Sequence, residues 1–146
     1  NSPLNVLDII EIFTTPQYIK QEYKYLIIDD EPLNRQVLET LIKTIDKKSI
    51  VKTANDGIEG LEKLKKESFD IVFLDKRMPK LDGYGVLEKL KELGIDANIY
   101  LLTADGDSET INKAKEYNVG YLAKPVSMST LESVMANIVK RSDGGV

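Results

Sequence analysis

The feature that most constrains this chain is the stretch Ile71–Gly83, IVFLDKRMPKLDG. Four apolar residues run without a polar interruption into Asp75, and Met78-Pro79 and Asp82-Gly83 follow as turn signals. A half-buried strand alternates apolar and polar residues. An unbroken run needs cover on both faces, which is the situation of a parallel sheet between two layers of helix. Asp75 then stands at the carboxyl end of its strand, the edge at which open α/β sheets bind ligands. A lone Asp at such a position most simply opens a turn. Its meaning depends on what else the chain brings to the same edge.

From Tyr23 onward, strand and helix patterns alternate. Tyr25 to Ile28 read as a strand ending in Asp29-Asp30-Glu31, and Pro32 opens a helix whose apolar face includes Val37, Leu38, Leu41, Ile42 and Ile45. Ile50 to Ala54 form a second strand, and Asn55-Asp56-Gly57 introduces a helix lined by Ile58, Leu61 and Leu64. A helix with Val86, Leu87 and Leu90 follows the Asp75 strand. Asn98 to Leu102 make a fourth strand ending at Thr103, and a more polar helix runs to about Tyr117, where Asn118 suits a left-handed stop. Gly120 to Ala123 form the fifth strand, closed by Lys124-Pro125, and Leu131, Val134, Met135 and Ile138 mark a last helix.

This alternation predicts an α/β fold with a doubly wound, five-stranded parallel sheet in the order 2-1-3-4-5, because right-handed crossovers lay helices on both faces. That order puts the switch point between the first and third strands. Asp29, Asp30 and Asp75 therefore meet at one edge, with Thr103 and Lys124 at the ends of the next two strands. Residues 23–142 are expected to form this domain. Residues 1–22 form a separate N-terminal unit, an amphipathic helix with Val6, Ile9, Ile10 and Phe13 on one face, broken near Pro16. It is expected to act as a linker or to support dimerisation. Residues 143–146 are expected to fray, and the start at Asn1 suggests a piece of a longer protein.

Composition removes several classes of chemistry. The chain has 146 residues, enough for one domain with a real core. It holds no cysteine and no histidine, which excludes thiolate sites, His-bound zinc, Ser-His-Asp catalysis and a phosphohistidine of its own. A formal charge of -4 without any basic run argues against a nucleic-acid surface, and no apolar run is long enough to contact a membrane as a span. A cytoplasmic location is the plain expectation. The chemistry falls to carboxylates, hydroxyls and lysine.

Carboxylates crowded at one edge repel each other unless a cation neutralises them. Oxygen-only ligands suit Mg²⁺ or Mn²⁺, and such an ion suits phosphoryl transfer. Asp75 would be the attacking carboxylate. Lys124 can offset the charge of an aspartyl phosphate, Thr103 can donate a hydrogen bond to a phosphoryl oxygen, and the small Ala104 keeps the approach open.

The motifs DDEP, LDKRMPKLDG, LLTA and YLAKP resemble, in order and spacing, those of the receiver domain of response regulators, over about residues 23 to 142. The resemblance implies a two-component phosphorelay switch, without enzymatic turnover of its own, that takes a phosphoryl group from a histidine kinase or a histidine phosphotransfer protein. It matches Asp30 and Asp75 to metal-binding carboxylates, Asp29 to the acid acting through water, and Arg77 to the position whose backbone carbonyl completes the metal site. Thr103 and Lys124 match the switch and phosphate-contact positions, and Tyr121 matches the aromatic that reports the switch around helix 4 and strand 5. Arg77 and Asp105 match the positions that tune the lifetime of the phosphoryl group, and Lys124-Pro125 is expected to be cis. The same domain could belong to a hybrid sensor histidine kinase. An Asp-nucleophile phosphatase fits less well, because its second Asp is replaced by Arg77. A flavodoxin-type cofactor binder fits poorly, because Asp-Asp-Glu stands where a phosphate loop is needed.

Overall fold

The computed structural model describes residues 22–104 and 108–142. The expected N-terminal helix, Asp105 and the expected frayed tail lie outside the described residues. The elements are β1 (Lys24–Ile28), α1 (Pro32–Ile45), β2 (Ile50–Ala54), α2 (Gly57–Lys66), β3 (Ile71–Asp75), α3 (Gly83–Leu93), β4 (Ile99–Thr103), α4 (Ser108–Glu116), β5 (Gly120–Ala123) and α5 (Met128–Ser142). All strand pairs are parallel, in the order β2-β1-β3-β4-β5.

The uniformly apolar strands divide their side chains by the two-residue period of the pleat. Tyr25 and Ile27 of β1 and Ile71 and Phe73 of β3 pack with Leu38 and Ile42 of α1 and Leu131, Val134, Met135 and Ile138 of α5. Leu26, Ile28, Val72 and Leu74 turn to the other face, against Leu61 and Leu64 of α2 and Val86, Leu87 and Leu90 of α3. Every residue of β3 is buried. Burial on both faces is what the unbroken run demanded.

Local chemistry sets the helix ends. Pro32 opens α1. Asp56 caps α2 by accepting from the Glu59 N–H at 2.8 Å, and Asp82 caps α3 by accepting from Gly85 N–H at 2.8 Å. Gly94 ends α3 at φ 68, and Asn118 takes φ 56 after α4, as expected of a residue that tolerates the left-handed region. Gly57 leaves room for the loop after β3, since a Cβ there would meet the Leu81 carbonyl oxygen at 2.1 Å.

Two apolar positions depart from the expected faces. Val37 is 51% exposed and Ile58 is also exposed. The buried stripe of α1 runs through Leu38 and Ile42, so Val37 falls one position round the helix, in a row with exposed Leu33 and half-buried Leu41. In α2 the buried positions are Gly57, Gly60, Leu61 and Leu64, which leaves Ile58 outside them.

Toward the opposite end of the sheet from Asp75, Glu67 receives both Lys24 and Lys52, joining the start of β1 and the middle of β2 to the end of α2. The hydrogen bonds from these lysines hold its carboxyl down to about 2. A depressed carboxyl contributes stability above its ordinary pKa and loses it as pH falls toward the folded value. Glu67→Gln is therefore expected to lower Tm at pH 7, with the gap to wild type narrowing from about pH 4.5 toward pH 2. Thermal melts of both proteins across that range check this, and a gap independent of pH would exclude the linkage.

Candidate functional site

The carboxyl edge of the sheet gathers the chemistry-bearing residues. Asp29 follows β1 directly, Asp75 ends β3, Thr103 ends β4 and Lys124 follows β5. The register pairs Ile28 with Leu74, Asp75 with Leu102, and Thr103 with Ala123, so these positions arrive level with one another. Carboxylate oxygens of Asp29, Asp30 and Asp75 lie within 4.8 Å of one another.

Asp29 is 1% exposed and Asp75 is 5% exposed, whereas Asp30 is open to solvent. The Asp29 loop is held from several directions. Its N–H donates to the Ala54 carbonyl at 3.1 Å, its Oδ1 accepts from Glu31 N–H at 2.9 Å, and its carbonyl accepts from Arg35 Nη1 at 2.7 Å. Arg35 was not among the residues expected from sequence. Its role depends on its side chain folding back from the start of α1 onto the Asp29 carbonyl, a contact that the motif at this turn does not specify.

Lys124 supplies the positive charge. Its Nζ lies 2.7 Å from Asp75 Oδ1 and 3.6 Å from Asp29 Oδ2, and its backbone N–H donates to the Thr103 carbonyl at 2.9 Å. The Lys124-Pro125 peptide is cis, as expected. Burial pushes the Asp75 carboxyl above the usual carboxylate range; the Lys124 bond opposes this, and the charge of Asp29 adds to it. Burial alone would depress the Lys124 ammonium, but its bond to Asp75 and the charges of Asp75 and Asp29 hold it above its ordinary value.

A cleft of about 280 Å³ opens over this cluster, lined among others by Asp30, Asp75, Arg77, Thr103, Ala104 and Lys124. Thr103 is buried and Ala104 is exposed at the mouth. Tyr121 is not brought to the cleft: it is 42% exposed on β5, level with Leu101. The three carboxylates converge within 4.8 Å of one another, with Lys124 bridging two of them, and so offer the oxygen donors that suit a hard divalent cation. That convergence of oxygen donors, and not a sequence pattern, is the observation that the residues fit such an ion.

The fold and the cleft define a doubly wound α/β domain with an acidic, cation-ready site at the switch point of its sheet. Residues 25–136 match the response regulator receiver domain, and the chain belongs to that family. It is 40% identical over 124 residues to the probable transcriptional regulator ycf27 of Porphyridium aerugineum, covering 84% of this chain and 50% of that protein. It is 32% identical over 117 residues to the sensor histidine kinase RcsC of Salmonella typhimurium, covering 80% of this chain and 12% of the kinase. Among solved structures it is similar to the CheX-CheY-BeF3-Mg²⁺ complex from Borrelia burgdorferi, with a TM-score of 0.71 and 28% identity over 80% of this chain and 90% of that one. The chain thus spans half or less of these two curated relatives, and is a receiver domain of the kind found in response regulators and hybrid kinases.

Because the folded state holds the Asp75 carboxyl above its unfolded value, native protein binds the proton more tightly and ionisation works against folding. In chelator at pH 7, Asp75→Asn is expected to raise Tm by removing that buried charge. The gain should shrink as pH falls from the raised folded value to the ordinary carboxylate value, below which Asp75 is protonated in both states. Calorimetry of the two proteins at pH 7 and pH 4 tests the sign, and a lower Tm for Asp75→Asn at pH 7 would refute it.

Proposed function

We propose that this domain is the phosphoacceptor switch of a two-component phosphorelay, with Asp75 taking the phosphoryl group from a phosphohistidine on a histidine kinase or a histidine phosphotransfer protein. The observation that carries this reading is the buried Asp75 carboxylate held at 2.7 Å by Lys124 beside Asp29 and Asp30. Membership of the receiver family supports it.

In this reading an Asp75 oxygen attacks phosphorus, the P–N bond breaks, and the departing imidazole keeps the electron pair. Lys124 fixes the Asp75 carboxylate through Oδ1 and offsets the charge that arrives with the phosphoryl group. Burial strips water from the nucleophile, and the bonds to Asp29 keep the second acid in place. Asp30 and Asp75, with the Arg77 carbonyl and with Asp29 through water, would hold Mg²⁺, or Mn²⁺ in its place. When bound, that ion neutralises the acids and the charge developing on the transferring group. Thr103 and Ala104 border the place the phosphoryl group would occupy, and we assign Thr103 the hydrogen bond to one of its oxygens. Tyr121 is assigned the aromatic response of β5, and Arg77 a part in the lifetime of the phosphoryl group together with Asp105. The domain acts as a switch and not as a turnover enzyme, at a cytoplasmic location. Among the described residues, no helix is long and apolar enough to cross a membrane.

The donor must approach over the mouth of the cleft. An apolar groove of about 410 Å³ adjoins it, lined by Leu33, Val37, Leu41, Pro125 and Val126, and shares Asn34, Leu102 and Lys124 with the acidic cleft. Leu33 is 67% exposed. A protein that delivers a phosphohistidine to Asp75 covers this groove in the same encounter, which assigns the exposed row of α1 to donor recognition.

Two outcomes test this function. Incubated with acetyl phosphate and Mg²⁺, the protein is expected to gain the mass of one phosphoryl group by intact-mass spectrometry, and to gain none in chelator or as Asp75→Asn. Uptake by Asp75→Asn equal to wild type would sink the assignment. Leu33→Asp and Val37→Asp are expected to slow transfer from a phosphorylated histidine phosphotransfer protein by roughly tenfold, while uptake from acetyl phosphate stays within twofold. Equal rates from the protein donor would remove the groove from recognition.

A further inference from the structure

Lys76 follows Asp75 in the chain and also lines the acidic cleft, but its side chain reaches toward another face of the sheet. Val72 and Leu74 turn toward α2 and α3, and Lys76 continues that series by the pleat. Its backbone is held at both ends, the N–H donating to the Leu102 carbonyl at 3.1 Å and the carbonyl accepting from Gly83 N–H at 3.0 Å. The ammonium then donates to Thr110 Oγ1 on α4 at 2.9 Å, and the Tyr84 hydroxyl reaches the same oxygen at 3.3 Å. The Tyr84 ring lies 5.8 Å from the ammonium groups of both Lys76 and Lys113. Three elements therefore meet at one hydroxyl, which is fully buried.

The neighbours of α4 are gripped by large apolar side chains, three in α3 and four in α5. α4 buries only Thr110 and Ala114. One of these two buried side chains is a methyl group, and the other belongs to a polar node whose ammonium donor stands one residue from Asp75. A node of this kind is easier to release than interlocked leucines, because its strength depends on where one ammonium is drawn.

We propose that Lys76, Tyr84 and Thr110 form a coupling node that holds α4 against the end of β3, with Lys76 as the positioning residue that ties α4 to the state of Asp75. The inference rests on the reading of Asp75 as a phosphoacceptor. A phosphoryl group brings up to about two negative charges beside Lys76, and a dianion competes with a neutral hydroxyl for an ammonium. Phosphorylation thereby weakens the bond to Thr110 and loosens the first half of α4.

Thr110→Val keeps the side-chain shape and removes the acceptor, and half-buried Lys76→Met removes the ammonium on a straight stem. In the unphosphorylated protein, amide hydrogen exchange across α4 is expected to rise about tenfold in each variant, with β3 and α3 unchanged and the double variant no faster than the singles. With acetyl phosphate and Mg²⁺, Thr110→Val is expected to take up the phosphoryl group as wild type does, while the NMR amide shift changes across residues 108–116 fall by at least half. Unchanged exchange in α4, or strictly additive effects, overturns the node. Undiminished shift changes in phosphorylated Thr110→Val overturn the coupling alone. A wild-type protein that takes up no phosphoryl group overturns the phosphoacceptor reading, and the coupling with it, whereas the exchange data still decide whether the node holds α4.

Discussion

The structure depends on holding the carboxyl groups of Asp29 and Asp75 together in a place that water barely reaches. Two carboxylates at 1% and 5% exposure, with a third within 4.8 Å, constitute an arrangement that folding alone has no reason to build. It persists because Lys124 stands between the two buried acids, and because backbone and Arg35 contacts fix the Asp29 loop. The apolar sheet below must be stable enough to carry that burden. β3, buried throughout, is the element that does so.

The same strand also separates two tasks. Its pleat sends Ile71 and Phe73 toward α1 and α5, and Val72 and Leu74 toward α2 and α3. At its end, adjacent residues inherit that division. Asp75 meets Lys124, while Lys76 reaches across to Thr110 on α4. Proximity in sequence and opposition in direction let one short segment touch both the acidic cleft and a helix with only two buried side chains. Meanwhile the loop that follows is pressed against the start of α2, where Gly57 admits the Leu81 backbone.

The exposed apolar row of α1 has a related origin. A helix that covers a sheet needs only one stripe inside, and Leu38 and Ile42 supply it. Leu33 and Val37 remain beside the cleft, together with Pro125 and Val126 from the segment after β5. From sequence, Val37 reads as core because helical periodicity reports an apolar face without saying how wide a part of it the sheet covers.

The sequence by itself determined the alternation of strands and helices, their order in the sheet, and the acids, Thr103 and Lys124 at its carboxyl edge. These are legible because strand period, turn chemistry and crossover handedness are local rules that act on neighbouring residues. Only the tertiary structure decided which acids are buried, that Lys124 bridges Asp75 and Asp29, that Arg35 holds the Asp29 carbonyl, and that Tyr121 faces outward. Only it joined Lys76 to Thr110, 34 residues away along the chain. Those facts follow from where separate elements come to rest against each other. A side chain as long as lysine or arginine can reach several partners, and packing alone selects one.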